Sequence, residues 1–351
     1  MLHSMRILFE INHPGHFYLF RNTIDELIDR GNEIFIFARN NEPIPALLKT
    51  RPAWQIKYIG KRGRNIFQKA LKQILFNTTA ISFILKHKID ICAGVSVTMP
   101  QSAFITGRKS IVFDDDDRSV TPFFAFMSHT FAQQVFSPDC LENKSHKLKY
   151  TYYKGYHELA YLHPEIFFPD KSILTGQGLS PEQPYFLLRF NDFRAHHDIG
   201  QYGLSLDQKK QLIEHLKKYG KVLISTESES VPEFIKNNII VHPSKIHHLL
   251  SYARLYIGES QTMASEAAIL GTPAIRINTF KGRLSTLNEL EHKYKLLYSY
   301  LPAEFDKALA MIDKLLKKDN RELWLRKRNN MLNDKINVSR FICDAITALN
   351  K

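Results

Sequence analysis

Apolar and polar positions alternate along the chain in a way that separates short strand-like runs from longer helix-period segments. Residues 6–11 form a run rich in strand formers, the turn Asn12-His13-Pro14-Gly15-His16 follows, and Phe17, Phe20, Ile24, Leu27 and Ile28 then share one helix face. Gly31 ends that helix before a second run at 33–38, so the chain opens with a βαβ unit. Further runs at 55–59, 89–95, 110–113 and 134–137 alternate with helical stretches, the order that a doubly wound parallel sheet requires. The alternation then starts again, with runs at 185–189, 221–226, 255–257 and 274–277, a helix over 207–219 and another from Met263. Between the two halves, residues 163–184 hold four prolines and two glycines, a composition suited to a connecting piece. From Ala303 the pattern is helical to the end, broken around 318–320 and near Asn337. The expectation is an α/β protein with a Rossmann-like domain over 1–156, a linker over 157–184 and a second Rossmann-like domain over 185–351 that carries the terminal helices.

Composition narrows this picture. A chain of 351 residues exceeds the size of one ordinary core, and its 44% hydrophobic and 24% charged residues are usual for a water-exposed globular protein. The apolar runs are too short to span a bilayer and no secretory pattern follows Met1, so a cytoplasmic location is expected. Cys92, Cys140 and Cys343 lie far apart without a CxxC pair, which predicts reduced thiols and neither a disulfide framework nor a zinc site. Forty-eight Lys and Arg against 35 Asp and Glu give a net charge of +13, which favours anionic partners such as nucleotides, nucleic acid or acidic lipid headgroups. No helix-turn-helix, RRM or zinc pattern is present, so nucleic acid is not an expected partner.

The most informative stretch runs from Leu255 to Pro273. A strand ends at Gly258, small polar residues form a turn, and Ser260 or Thr262 can cap a helix whose first amides are free to bind an anion such as a diphosphate. Glu266 falls about one turn inside that helix, where a carboxylate can accept hydrogen bonds from vicinal ribose hydroxyls. The bland alternative is a capped helix with Glu266 as surface charge. Against it stands the position of the turn at the C-terminal edge of a strand, where open α/β sheets bind ligands.

This stretch resembles the donor-binding signature of GT-B fold glycosyltransferases and of the related UDP-N-acetylglucosamine 2-epimerases. Over most of its length the chain is similar to the predicted glycosyltransferases called domain of unknown function 354. The similarity extends over the opening residues 5–38, the Asp run after Phe113, residues 153–162, the loop at Arg189 and residues 288–294. It implies two Rossmann-like domains facing a cleft, with a nucleoside diphosphate sugar as co-substrate and no other cofactor.

The resemblance assigns residues. Gly15-His16 lies where GT-B enzymes often carry a Gly-His pair, making His16 the first candidate for the general base and His13 the second; either could instead cap the following helix. Within Asp114-Asp115-Asp116-Asp117, at least one carboxyl should hold its proton tightly, and Asp115 and Asp117 fall where the family carries its acidic pair. A base, a metal site or a solvated acidic turn are the open readings of that run, and the tandem Rossmann scaffold argues against the metal. Arg189 and Arg194 can neutralise a departing pyrophosphate in place of a metal. His196, His197 and Asp198 are weak metal candidates because adjacent side chains point in opposite directions. The loop before residue 246 is the family's base-binding loop, so Ile246 and His247 join Gly258, Ser260, Gln261, Thr262, Met263 and Glu266 as donor-site candidates. Lys281-Gly282-Arg283 offers another basic loop. Lys61, Arg62 and Arg64 open a helix that alternates Lys with large apolar residues; they could meet an acceptor phosphate or an anionic membrane, or the helix could simply cover the first sheet.

The function expected is metal-independent transfer of a hexose-type sugar from a nucleoside diphosphate sugar, UDP-linked, to a glycan or lipid-linked acceptor in cell-surface polysaccharide or glycoconjugate synthesis. Peripheral contact with the inner face of the membrane would accompany a lipid-linked acceptor. A non-hydrolysing UDP-sugar 2-epimerase ranks second, because such epimerases open with a Gly-Thr-Arg-Pro-Glu type of turn and this chain has Asn12-His-Pro-Gly-His16. A non-catalytic module binding nucleic acid or membrane ranks third.

Overall fold

The computed structural model describes residues 4–349 apart from 61–65, 143, 181, 191–201, 227–231 and 240. The chain forms two compact units, Met1–His163 with Ile336–Lys351, and Pro164–Lys335. Among the described residues the first unit is built on seven parallel strands: β1 (Arg6–Ile11), β2 (Glu33–Ala38), β3 (Gln55–Tyr58), β4 (Ile91–Gly94), β5 (Lys109–Phe113), β6 (Gln134–Pro138) and β7 (Tyr150–Tyr153). They lie in the order β3-β2-β1-β4-β5-β6-β7. The order reverses between β1 and β4, so the loops leaving these two strands splay apart and open a crevice at their C-terminal ends.

Right-handed crossovers place helices on both faces of this sheet. The helix Pro14–Asp29 starts with proline in its first turn and with His13 as its cap, Nδ1 accepting from the Gly15 amide at 3.1 Å. Its buried Phe20 ring meets Phe9 at 5.2 Å and Phe113 at 5.7 Å, which locks the helix onto β1 and β5. On the other face, Ala80 and Ile84 of the helix Ile66–His87 and Met99 and Ala103 of the helix Thr98–Thr106 pack on Leu8, Phe35, Phe37 and Cys92. Side chains of this kind stabilise the packing by about 1.5–3 kcal/mol each when fully buried.

The second unit carries β8 (Tyr185–Phe190), β9 (Lys221–Thr226), β10 (Leu255–Gly258), β11 (Ala274–Ile277) and β12 (Leu297–Tyr300), all parallel, in the order β12-β11-β10-β8-β9. Here the reversal falls between β8 and β10, where Arg189 and Gly258 stand opposite each other in register.

Two features differ from the expectation drawn from the pattern. The chain does not divide at 156 and 185. Leu159–Leu162 is helical and packs on Pro14–Asp29, and the final helix Val338–Ala348, expected in the second domain, belongs to the first unit. Its Phe341 ring lies 4.9 Å from Tyr153 and 5.4 Å from Phe136, and the Ser339 carbonyl accepts from Thr23 Oγ1 at 3.1 Å. Apolar burial against the face left open by Pro14–Asp29 therefore decides where the last helix goes. The other difference is that each sheet has one more strand than the sequence predicts, β7 and β12, both at a sheet edge. Of the three Cys residues, Cys92 and Cys343 are buried free thiols and Cys140 is a half-buried one.

Candidate functional site

In the second unit the strand-turn-helix from Leu255 onward forms as its residues dictate. Gly258 closes β10 where a Cβ would stand 2.5 Å from the Arg189 carbonyl oxygen and 2.6 Å from Tyr256 Oη, so no larger residue fits. Ser260, with extended backbone, caps the helix Gln261–Leu270 by accepting from the Met263 amide at 3.3 Å. That selects Ser260 over Thr262, which is exposed. Gly271, at φ 81°, ends the helix in the left-handed conformation. The helix N-terminus and its partial positive charge thus sit at the C-terminal end of β10, beside the point where the strand order reverses. Asn278 Nδ2 donates to the Glu259 carbonyl at 2.7 Å, and buried Glu259 accepts from the Leu204 amide at 2.6 Å and Lys209 Nζ at 3.2 Å, which fixes the turn.

Glu266 is buried, 4% exposed, with Oε1 2.9 Å from His247 Nε2. This pairing joins two donor-site candidates that lie 19 residues apart in sequence, and it removes the reading of Glu266 as surface charge. Ile246, half-buried, begins the helix Ile246–Tyr252 that carries His247, while Gln261 is half-buried and Met263 buried in the first turn after Ser260. Arg189 leaves β8 beside Gly258, and its Nη1 donates to Ser225 Oγ at 2.6 Å. Lys281 is held by Glu304 at 2.6 Å, which leaves the loop 281–283 less basic than its sequence suggests.

In the first unit His13 is exposed and occupied with its capping bond, and His16 is half-buried one turn into the helix, its ring 5.8 Å from that of His13. Burial, aided by the like charges of His13 and His157 and opposed by Asp115, holds the His16 imidazole down at about 3. The ring therefore stays uncharged throughout the physiological range. His16 Nδ1 is buried without a hydrogen-bond partner among the described residues.

The four aspartates do not act as one cluster. Asp115 turns to His157, whose Nδ1 lies 3.2 Å from Oδ2. Burial raises the Asp115 carboxyl, but the charge of His157 and its hydrogen bond outweigh this and the net shift is downward. His157 is raised for the reciprocal reason, Asp115 overcoming burial, so the two form an ion pair. Asp114 turns the other way, to His129 Nε2 at 2.9 Å. Asp116, with Asp114, Arg118 and His129, lines a cavity of about 10 Å³, and burial together with Asp115 and Asp114 pushes its carboxyl up to about 8. Asp117 is buried, and its Oδ1 accepts from the Glu142 amide at 3.2 Å. Of the acidic pair singled out by resemblance, Asp115 is the member brought to His16, while Asp117 anchors a neighbouring loop.

Three groups gather around Asp115 with buried polar atoms that lack a hydrogen-bond partner among the described residues: His16 Nδ1, His157 Nε2 and Tyr153 Oη. The Tyr153 phenol is raised well above its ordinary value, first by burial and then by Asp115. Unmatched polar atoms of this kind, at the C-terminal edge of a sheet, are suited to ligand hydroxyls. His157 falls within residues 153–162, one of the stretches that carry the family resemblance, although that resemblance assigns it no role. The second unit holds a comparable surprise in Arg276, whose three guanidinium nitrogens are buried with no partner among the described residues. Burial, offset in part by Glu291, brings it down to about 10. The signal for it was a charge inside an apolar strand, Ala-Ile-Arg-Ile. Arg194, Lys61, Arg62 and Arg64, with His196, His197 and Asp198, lie outside the described residues.

Two parallel, doubly wound units of this kind, followed by C-terminal helices, define the GT-B architecture. A UDP-GlcNAc 2-epimerase from Neisseria meningitidis bound to UDP-GlcNAc matches with a TM-score of 0.70 at 13% identity, covering 99% of this chain and 100% of that one. UGT89C1 of Arabidopsis thaliana complexed with UDP gives 0.66 at 11% identity over 98% and 99%, and the spinosyn forosaminyltransferase SpnP gives 0.64 at 13% over 99% and 100%. Residues 5–300 match the model of the family described as Protein of unknown function (DUF354), and the chain belongs to that family. No curated protein is similar to it in sequence.

Proposed function

We propose that this protein is a glycosyltransferase that moves a sugar from a nucleoside diphosphate sugar, UDP-linked, to a hydroxyl of a glycan or lipid-linked acceptor in cell-surface polysaccharide or glycoconjugate synthesis. The observation that carries the reading is the pairing of His247 with Glu266 behind the Ser260-capped helix, because it rigidifies a carboxylate one turn from an anion-binding helix end. In this reading the helix N-terminus at Ser260, with Arg189 and Arg194, takes the diphosphate, and Glu266 takes the ribose. Ile246, His247 and the first-turn residues Gln261, Thr262 and Met263 surround base and phosphates, with Gly258 allowing the close approach of β10 to β8 from which the turn starts. His16, uncharged and with an unpartnered nitrogen, accepts the acceptor hydroxyl proton, and Asp115 stabilises the imidazolium that forms. Electrostatic stabilisation of the leaving diphosphate then requires no metal.

A panel of nucleotide sugars in a thermal-shift assay, followed by product analysis with and without acceptor, tests this. One donor should raise the melting temperature by mass action, and the nucleoside diphosphate should appear only when acceptor is present. The likeness to the epimerase at a TM-score of 0.70 supports a second reading, 2-epimerisation of a UDP-sugar. Formation of an epimer with no acceptor present would replace transfer by that reaction.

A further inference from the structure

Exposed apolar side chains of the first unit concentrate on one set of helices. Ile66–His87, Thr98–Thr106 and Pro122–His129 (the last running beside Thr98–Thr106) cover the face of the sheet opposite Pro14–Asp29. Gln73, Asn77 and Gln101 point into the seams between them. Gln73 donates to Thr98 Oγ1 at 3.1 Å, Asn77 to Gln101 Oε1 at 2.7 Å, and Gln101 to the Met127 carbonyl at 3.1 Å. The outward positions have the opposite chemistry: Leu71, Leu75, Phe104, Ile105, Phe123 and Phe126 are 60–74% exposed. A helix bathed by water normally shows its polar stripe outward. Here the stripe is inverted, and large apolar patches of this sort mark contact surfaces.

Charge indicates what the surface meets. The three helices carry Lys69, Lys72 and Lys86 and not one Asp or Glu. In the turns that follow Leu75 on the same helix, Lys86 and His87 with the hydroxyls of Thr78, Thr79 and Ser82, joined by Lys57, line an open groove of about 530 Å³. Ammonium and hydroxyl donors in one groove suit a phosphate. A nucleic acid would use the cations and leave Phe123 and Phe126 in water, whereas an anionic bilayer uses both sets of groups.

We propose that this three-helix face docks on an anionic phospholipid bilayer, its outward Leu, Ile and Phe side chains entering the acyl boundary and the groove at Lys57 and Lys86 taking a headgroup phosphate. The surface lies outside the residues assigned to sugar chemistry, so the proposal stands or falls separately from that assignment. Attraction of the cations to such a surface adds to the burial of the apolar side chains.

Flotation of the full chain with vesicles of phosphatidylcholine and phosphatidylglycerol in equal parts, and with phosphatidylcholine alone, tests it. The chain should float with the mixed vesicles, about tenfold less with the neutral ones, and less as salt is added. The double variant Phe123→Ser/Phe126→Ser should lose about tenfold in binding while keeping its melting temperature, since both side chains are exposed. Leu71→Ser/Leu75→Ser, on a different helix, should do the same and serves if the first variant does not fold. Failure to float with the mixed vesicles, or flotation unchanged in both folded variants, overturns the proposal. So does a wild-type dimer that the variants dissociate without any vesicle binding, which would make the face a contact between copies of the chain.

Discussion

His247 Nε2 and Glu266 Oε1 meet at 2.9 Å, both side chains buried, across two helices of the second unit. Glu266→Ala removes the carboxylate itself, whereas His247→Ala removes one of the groups that hold it in place. Glu266→Ala should therefore weaken nucleoside diphosphate binding by about tenfold or more, measured by calorimetry, and His247→Ala should weaken it by less, since it removes only the support. Equal affinity in wild type and Glu266→Ala would show that the carboxylate does not touch the ligand.

Gly258 gives a steric prediction. A methyl at this position would press on the Arg189 carbonyl at 2.5 Å and Tyr256 Oη at 2.6 Å, and β10 and β8 would have to part. Gly258→Ala should lower stability by about 1–3 kcal/mol in urea unfolding and disturb the turn before Ser260. An unchanged midpoint would mean that the two strands separate easily.

The histidines of the first unit titrate in opposite senses. His16, ordinarily near 6.5, is held at about 3, so below pH 6.5 the unfolded chain takes a proton that the folded chain refuses. Its contribution favours folding above pH 6.5 and is withdrawn as the pH falls toward 3. His157 is raised, so its contribution is complete below its ordinary 6.5 and is lost as the pH rises through its folded value. Asp115 is lowered, and its share is lost only as the pH falls through its own depressed value, below 3.8. Urea midpoints measured against pH should show His16→Asn flattening the acid limb and Asp115→Asn flattening the alkaline one. In proton NMR, the His16 ring should keep its neutral shift at pH 5.

Arg276 yields the reverse of an ordinary truncation. A buried guanidinium without a full set of partners is destabilising, so Arg276→Met should raise the urea midpoint by the equivalent of about 1–4 kcal/mol. A fall of similar size would reveal an anion held by Arg276 in the folded protein.

Local pattern carried most of the fold. The runs at 6–11, 33–38, 221–226 and 274–277 coincide with β1, β2, β9 and β11 because buried parallel strands are apolar on both faces. Tyr150–Tyr153 and Leu297–Tyr300 escaped notice because edge strands are half-exposed and need no continuous apolar run. The turn at Ser260 was legible for the same reason as the strands: a cap is local chemistry. The His247 partner of Glu266 and the His157 partner of Asp115 were not, since 19 and 42 residues separate them and only the folded sheet brings them together. The division of the Asp run, with Asp114 turned to His129 and Asp115 to His157, likewise depends on partners that only the folded sheet supplies.

The return of Val338–Ala348 to the first unit makes that unit discontinuous in the chain. During synthesis the segment up to His163 emerges from the ribosome with the face around Tyr153 and Phe136 uncovered, and it stays so while all of the second unit is made. The second unit can fold as soon as it emerges, but the first is completed only after Val338–Ala348 has been made as well. A protein made without Val338–Ala348 would thus carry a permanently open apolar face on its first unit, and aggregation of that form, with the second unit still folded, is the outcome to expect.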